Sequence, residues 1–149
     1  MANDCYYLMH VTAKSKEAID RFLAIMQDKD ETYKLYRIFN SSLNTLEERY
    51  GLFHADLDGD VAWSADQWFH PSDPNLTSIP QLCKLLNISV EIFTEECGLE
   101  FQEHYIVNSK GEVLEEYEND DFAMDENGVR HGSMENWGLF LGEGELLVK

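Results

Sequence analysis

Two short apolar stripes at helical spacing, each set between alternating runs of polar and apolar residues, constrain this chain most. Ile19, Phe22, Leu23 and Met26 fall at i, i+3, i+4 and i+7, which predicts an amphipathic helix from about Lys16 to Gln27. Ser15 stands at its N-cap position, where a side-chain oxygen can accept from a free backbone N–H. Ile79, Leu82, Cys83 and Leu86 form the second stripe. Thr77 or Ser78 caps it, Pro80 fits its first turn, and Asn87 ends it.

Around these stripes, Tyr6–Thr12, Tyr33–Phe39, Tyr50–Ala55, Ile88–Phe93, Leu99–Val107 and Glu112–Tyr117 read as strands. Asn40–Asn44 reads as a polar loop and Leu46–Tyr50 as a short helix. Asp58-Gly59 reads as a hairpin turn, with Val61–Ser64 as the returning strand. The order β-α-β-β-α-β with extra hairpins predicts an α+β fold of the ferredoxin-like, split βαβ kind: an antiparallel sheet with two helices on one face. Residues 1–118 carry this pattern. Residues 119–149 form an acidic C-terminal extension, expected to pack on the same domain through Trp137 and Phe140, with Leu146–Val148 as a short strand.

The charge is uneven. The chain has 29 Asp+Glu against 11 Lys+Arg, a net of −18. Residues 76–149 hold 16 acids and 4 bases, a net of −12. Between Glu91 and Glu126 stand 13 acids and one base, Lys110. Such a balance excludes a basic nucleic-acid binder working by phosphate neutralisation and opposes attraction to an anionic membrane. No apolar run approaches the roughly 20 residues that span a bilayer, and the opening residues lack a signal-peptide pattern. Cys5, Cys83 and Cys97 are scattered and odd in number, which fits buried thiols in a reducing cytoplasm.

Asp56-Leu57-Asp58-Gly59-Asp60 looks like the start of a calcium loop, with acids at positions 1, 3 and 5. Position 6 is Val61 rather than Gly and position 12 is Gln67 rather than Glu, so both deciding positions fail and a polar turn is the reading. His10, His54, His70, His104 and His131 stand at no zinc-ligand spacing with each other or with the cysteines. No nucleophile elbow or phosphate loop is present. Trp63, Trp68 and Phe69 read as core rather than as a ligand platform. No catalytic residue, metal site or cofactor is assigned.

The start Met1-Ala2-Asn3-Asp4-Cys5 resembles the Met-Ala-Asn-Trp-Cys start of the YubB ferredoxin-like domain family, small proteins carried by plasmids and bacteriophages. The resemblance runs through the first strand and helix. It returns at Ala62-Trp63-Ser64, at Glu95-Glu96-Cys97-Gly98-Leu99 with Phe101, and at Asn108-Ser109-Lys110-Gly111-Glu112. It covers about residues 1–118, and it implies the fold and a mobile-element origin.

The acidic stretch is the functional lead. Glu91 and Glu95 share an outward strand phase, Glu100 has the outward phase of the next strand, and Glu115, Glu116, Glu118, Asp120 and Asp121 follow. With Glu96 they are the expected partner-binding set: a ridge imitating a polyanion. The expected partner is a basic nucleic-acid-binding protein of a bacterial host, a CRISPR effector or a restriction enzyme. The chain would inhibit it as a DNA mimic, an anti-CRISPR protein of phage or plasmid origin, with no nucleic acid or membrane bound directly. Two alternatives stand beside this. One is a small metal-dependent or hydrolytic enzyme built on Asp56–Asp60 and nearby histidines. The other is an accessory domain whose acidity serves solubility.

Overall fold

A computed structural model describes residues 4–96 and 101–119. The chain runs β1 (Asp4–Ala13), α1 (Lys16–Met26), β2 (Ile38–Arg49), β3 (Leu52–Ala62), α2 (Asp66–Phe69), α3 (Ile79–Leu86), β4 (Ile88–Glu96), β5 (Phe101–Val107) and β6 (Val113–Asn119). The strands form one six-stranded antiparallel sheet in the order β2-β3-β1-β4-β5-β6. The fold is therefore α+β. Because β3 is antiparallel to both β1 and β2, β1 and β2 run the same way with β3 between them.

The expectations for the two amphipathic helices hold to within a residue. Ser15 caps α1 by accepting from Ala18 N. Ser78 and Gln81 form a reciprocal capping box on α3, Pro80 lies in its first turn, and Asn87 ends it in the left-handed conformation. These signals act over a few adjacent residues, so nothing distant overrides them.

β2 departs from expectation. Tyr33–Phe39 is not a strand from its start: the Asp30 carboxylate accepts from Thr32 N and Tyr33 N and holds a turn there, as short polar side chains do. Asn40–Asn44 and most of Leu46–Tyr50 belong to one strand, not to a loop and a helix. Several of its polar residues bond across the sheet. Ser41 Oγ accepts from Tyr7 Oη at 2.6 Å and Asn40 Nδ2 donates to Asp60 at 2.8 Å. Two register shifts, at Ile38/Asn40 and Leu43/Thr45, accommodate the irregular pattern.

Asp58-Gly59 is likewise not a turn. It lies inside β3, and the β2–β3 hairpin turns at Tyr50-Gly51, where φ is 53° and 79°. Gly59 serves close approach instead: a Cβ there would collide with the Asn40 carbonyl and lie 2.9 Å from Tyr7 Oη.

Alternation on the strands makes two faces. Cys5, Tyr7, Met9, Val11 and Ala13 are fully buried. Ile19, Phe22, Ile25 and Met26 of α1 and Ile79, Leu82 and Cys83 of α3 join the same cluster, with Ile88, Val90 and Ile92 of β4. Cys5 and Cys83 are buried free thiols, and burial raises both their pKa values. Tyr6, Leu8, His10 and Thr12 point to the opposite face. Among the described residues, no helix is long and apolar enough to cross a membrane.

Candidate functional site

The register builds rows across the face opposite the core. One runs Thr45, Asp56, His10, Glu91, Ile106, Glu115. A second, beginning Ser42, Asp58, Leu8, Phe93, passes through His104. A third, beginning Asn40, Asp60, Tyr6, Glu95, passes through Gln102. Period-two alternation thus puts Asp56, Asp58 and Asp60 on one face of one strand, about 6.8 Å apart. A straight file of this kind does not wrap an ion, which is the physical reason the calcium-loop pattern fails.

Each aspartate has a bonded neighbour. Asp56 Oδ2 accepts from Thr45 Oγ1 at 2.7 Å, and Oδ1 lies 2.7 Å from His10 Nδ1. Asp58 accepts from Tyr6 Oη at 3.2 Å and Asp60 from Asn40. The hydrogen bond from His10 outweighs partial burial and, with Thr45, holds the Asp56 pKa below its ordinary value. Burial and Asp58 push the Tyr6 hydroxyl up to about 12, so it stays a donor. Among the described residues, no lysine or arginine bonds to Asp58 or Asp60. His10 Nε2 in turn lies 3.2 Å from His54 Nδ1.

The expected partner-binding set divides between the faces. Glu91, Glu95 and Glu115 lie on the face of the aspartate file. Glu91 is buried there, 2.7 Å from His104 Nε2, and His104 stacks on Phe93 with ring centroids 4.1 Å apart. Glu95 accepts from Gln102. Glu96 points to the core side and is 2% exposed. Glu116 and Glu118 are exposed on that same side of β6, because they alternate with Glu115. Glu100, Asp120, Asp121, Cys97, His131, Trp137 and Phe140 lie outside the described residues, as does the C-terminal extension beyond Asn119. The acids are therefore not one ridge among the described residues. The file on β3, outside the densest acidic stretch, was the part that charge counting missed, and the alternation Asp-x-Asp-x-Asp was its signal.

A second cluster forms where α2 meets β5 and β6. Phe69 stacks on Tyr105, centroids 3.9 Å apart and planes 10° from parallel. Trp68 is fully buried, meets Tyr7 edge-on at 5.2 Å, and donates Nε1–H to Tyr36 O at 2.7 Å. These anchors fix α2 over Tyr105. Trp68 and Phe69 are core, as expected, but Trp63 is 41% exposed.

Beside α2 is a cleft of about 390 Å³ lined by Trp63, Ser64, Asp66, Phe101, Glu103, Tyr105, Glu116 and Glu118. At its lip Trp63 has φ 68°, and Ser64 N donates to Ala62 O at 2.8 Å, the hydrogen bond of a tight three-residue turn. Positive φ is costly for a bulky side chain. Glu103 forms the floor, 3% exposed. Its carboxylate accepts from Ala65 N at 2.9 Å, Thr94 Oγ1 at 2.8 Å and Tyr105 Oη at 2.8 Å. Burial nevertheless raises its pKa against all three donors, and Glu118 adds to the rise. The Tyr105 hydroxyl is raised too, by burial first and then by Glu103.

Compared with known proteins, the chain matches no family model and no curated protein.

Proposed function

We propose that this chain is an acidic interaction protein whose aspartate-bearing sheet face docks on a basic groove evolved for nucleic acid. The observation that carries the reading is the file Asp56, Asp58, Asp60, held by Thr45, His10, Tyr6 and Asn40. The hydroxyl and amide donors of Thr45, Tyr6 and Asn40 orient the carboxylates without cancelling their charge, so the file presents an organised negative surface. Its step of about 6.8 Å sets one charge against roughly two phosphates of a DNA strand, which rises ~3.4 Å per phosphate. Glu95 and Glu115 extend the charge across the sheet. Long-range attraction speeds such encounters and complementarity selects the partner.

The partner class is a host defence effector with a cationic nucleic-acid channel, a CRISPR effector or a restriction enzyme, inhibited by a DNA mimic. A phage- or plasmid-borne setting follows from the YubB-like opening. The fold reading that accompanies it is ferredoxin-like, split βαβ, with α1 and α3 on one face; the strand order β2-β3-β1-β4 and the single buried cluster support it.

The test is capture of the effector from nuclease-treated host lysate at low and high salt, followed by competition with target duplex DNA. The proposal expects capture that fades with salt, is displaced by DNA, and is lost in the triple variant D56N/D58N/D60N. Capture unchanged by that variant, or indifferent to DNA, refutes it.

A further inference from the structure

The cluster at α2 has no part in that reading, and its geometry is of another kind. Asp66 and His70 are one helical turn apart, as the bond from His70 N to Asp66 O at 2.7 Å shows. Residues at this spacing share a helix side. Glu116 reaches them through the sheet: it is the register partner of Tyr105, on which Phe69 stacks. One carboxylate oxygen of Asp66, one ring nitrogen of His70 and one carboxylate oxygen of Glu116 all lie within 4.8 Å of one another. His70 Nε2 and Glu116 Oε1 are 2.6 Å apart.

We propose that Asp66, His70 and Glu116 form a binding site for a divalent transition-metal ion, with Zn²⁺ the best match. An imidazole with two carboxylates is a nitrogen–oxygen donor set that suits zinc better than calcium or magnesium, which favour oxygen-only shells. A tetrahedral ion with bonds of about 2.0–2.1 Å needs donor atoms roughly 3.3 Å apart. The His70–Glu116 contact has to open slightly and the three donors, all within 4.8 Å of one another, to settle at that spacing. All three residues are exposed, so these are changes of side-chain torsion with the backbone in place.

The surroundings favour a cation as well. Asp66 and Glu116 also line the cleft, together with Glu103 and Glu118, and among the described residues no lysine or arginine does. Three protein ligands leave a fourth position open, and the cleft adjoins the ligands. Metal binding requires its ligands deprotonated, so acidification releases the ion.

The test titrates the full, metal-free chain with ZnCl₂ in a calorimeter. One ion per chain is expected, with affinity at least about tenfold weaker in H70A and in E116Q and unchanged in D58N on the other sheet face. A hydrogen–nitrogen NMR spectrum of the imidazoles in the unmodified chain gives a readout that needs no variant: Zn²⁺ must shift His70 ahead of His10 and His104. Diffuse, non-stoichiometric uptake overturns the site. So does H70A binding as tightly as the parent chain, or a first shift at any other histidine.

Discussion

Replacing Gly59 by alanine tests the register on which the aspartate file depends. A Cβ at this position runs into the backbone carbonyl of Asn40 and comes within 2.9 Å of Tyr7 Oη, well inside the roughly 3.5 Å at which nonbonded atoms reach favourable contact. The obstacle is backbone on a paired strand, so it cannot yield as a side-chain tip would. β2 has to move off β3, straining the Asn40–Asp60 bond and the Tyr7–Ser41 bond. The expected loss is about 3 kcal/mol, the upper end of the overpacking range. For a chain of this size that is a fall in melting temperature of roughly 6–12 °C.

Gly51 supplies the contrast. It has φ 79° and nothing within 4 Å of its Cβ position, so G51A costs about 1–2 kcal/mol of conformational strain. G51N recovers much of that, because asparagine tolerates the left-handed region; G59N is worse than G59A. Thermal and urea unfolding of the four variants provide the assay. If G59A is no more damaging than G51A, or G59N is milder than G59A, β3 is not threaded as described and the three aspartates do not share a face.

Two further outcomes follow from the core side. Trp68→Ala removes a fully buried ring and orphans the Tyr36 carbonyl, and denaturant unfolding should show a loss of about 3–5 kcal/mol; a loss under 1 kcal/mol would mean that α2 is not anchored there. Glu103→Gln tests the buried carboxylate by pH. Its pKa is raised in the folded chain, so ionised Glu103 costs stability at high pH, and that cost vanishes as pH falls from the folded pKa to the unfolded one. E103Q should therefore gain most over the parent chain at high pH and lose that advantage on acidification; an advantage independent of pH contradicts the assignment.

Both capped helices were legible because their signals are neighbours in sequence: Ser15 with Ala18, Ser78 with Gln81. β2 was not, since what makes Asn40–Asn44 a strand arrives from Tyr7 and Asp60, far away along the chain. Asp-Gly has the chemistry of a turn, and only the proximity of Asn40 explains why Gly59 sits in a strand. The acidic set was read by density, whereas strand alternation sends Glu115 one way and Glu116 and Glu118 the other. Asp66 and His70 stood four apart in plain view, but Glu116 joins them through pairing of β5 with β6, which no local pattern contains.

The strands outermost among the described residues carry a further consequence. A sheet border is a row of unused donors and acceptors, a template on which a second copy can zip. On β2 two bulges break the row, and exposed Glu47 and Glu48 stand along it; on β6 the exposed Glu115, Glu116 and Glu118 do the same. Two copies meeting border to border would bring like charges together, so the acidity that equips this molecule to attract cations also keeps its own kind at a distance.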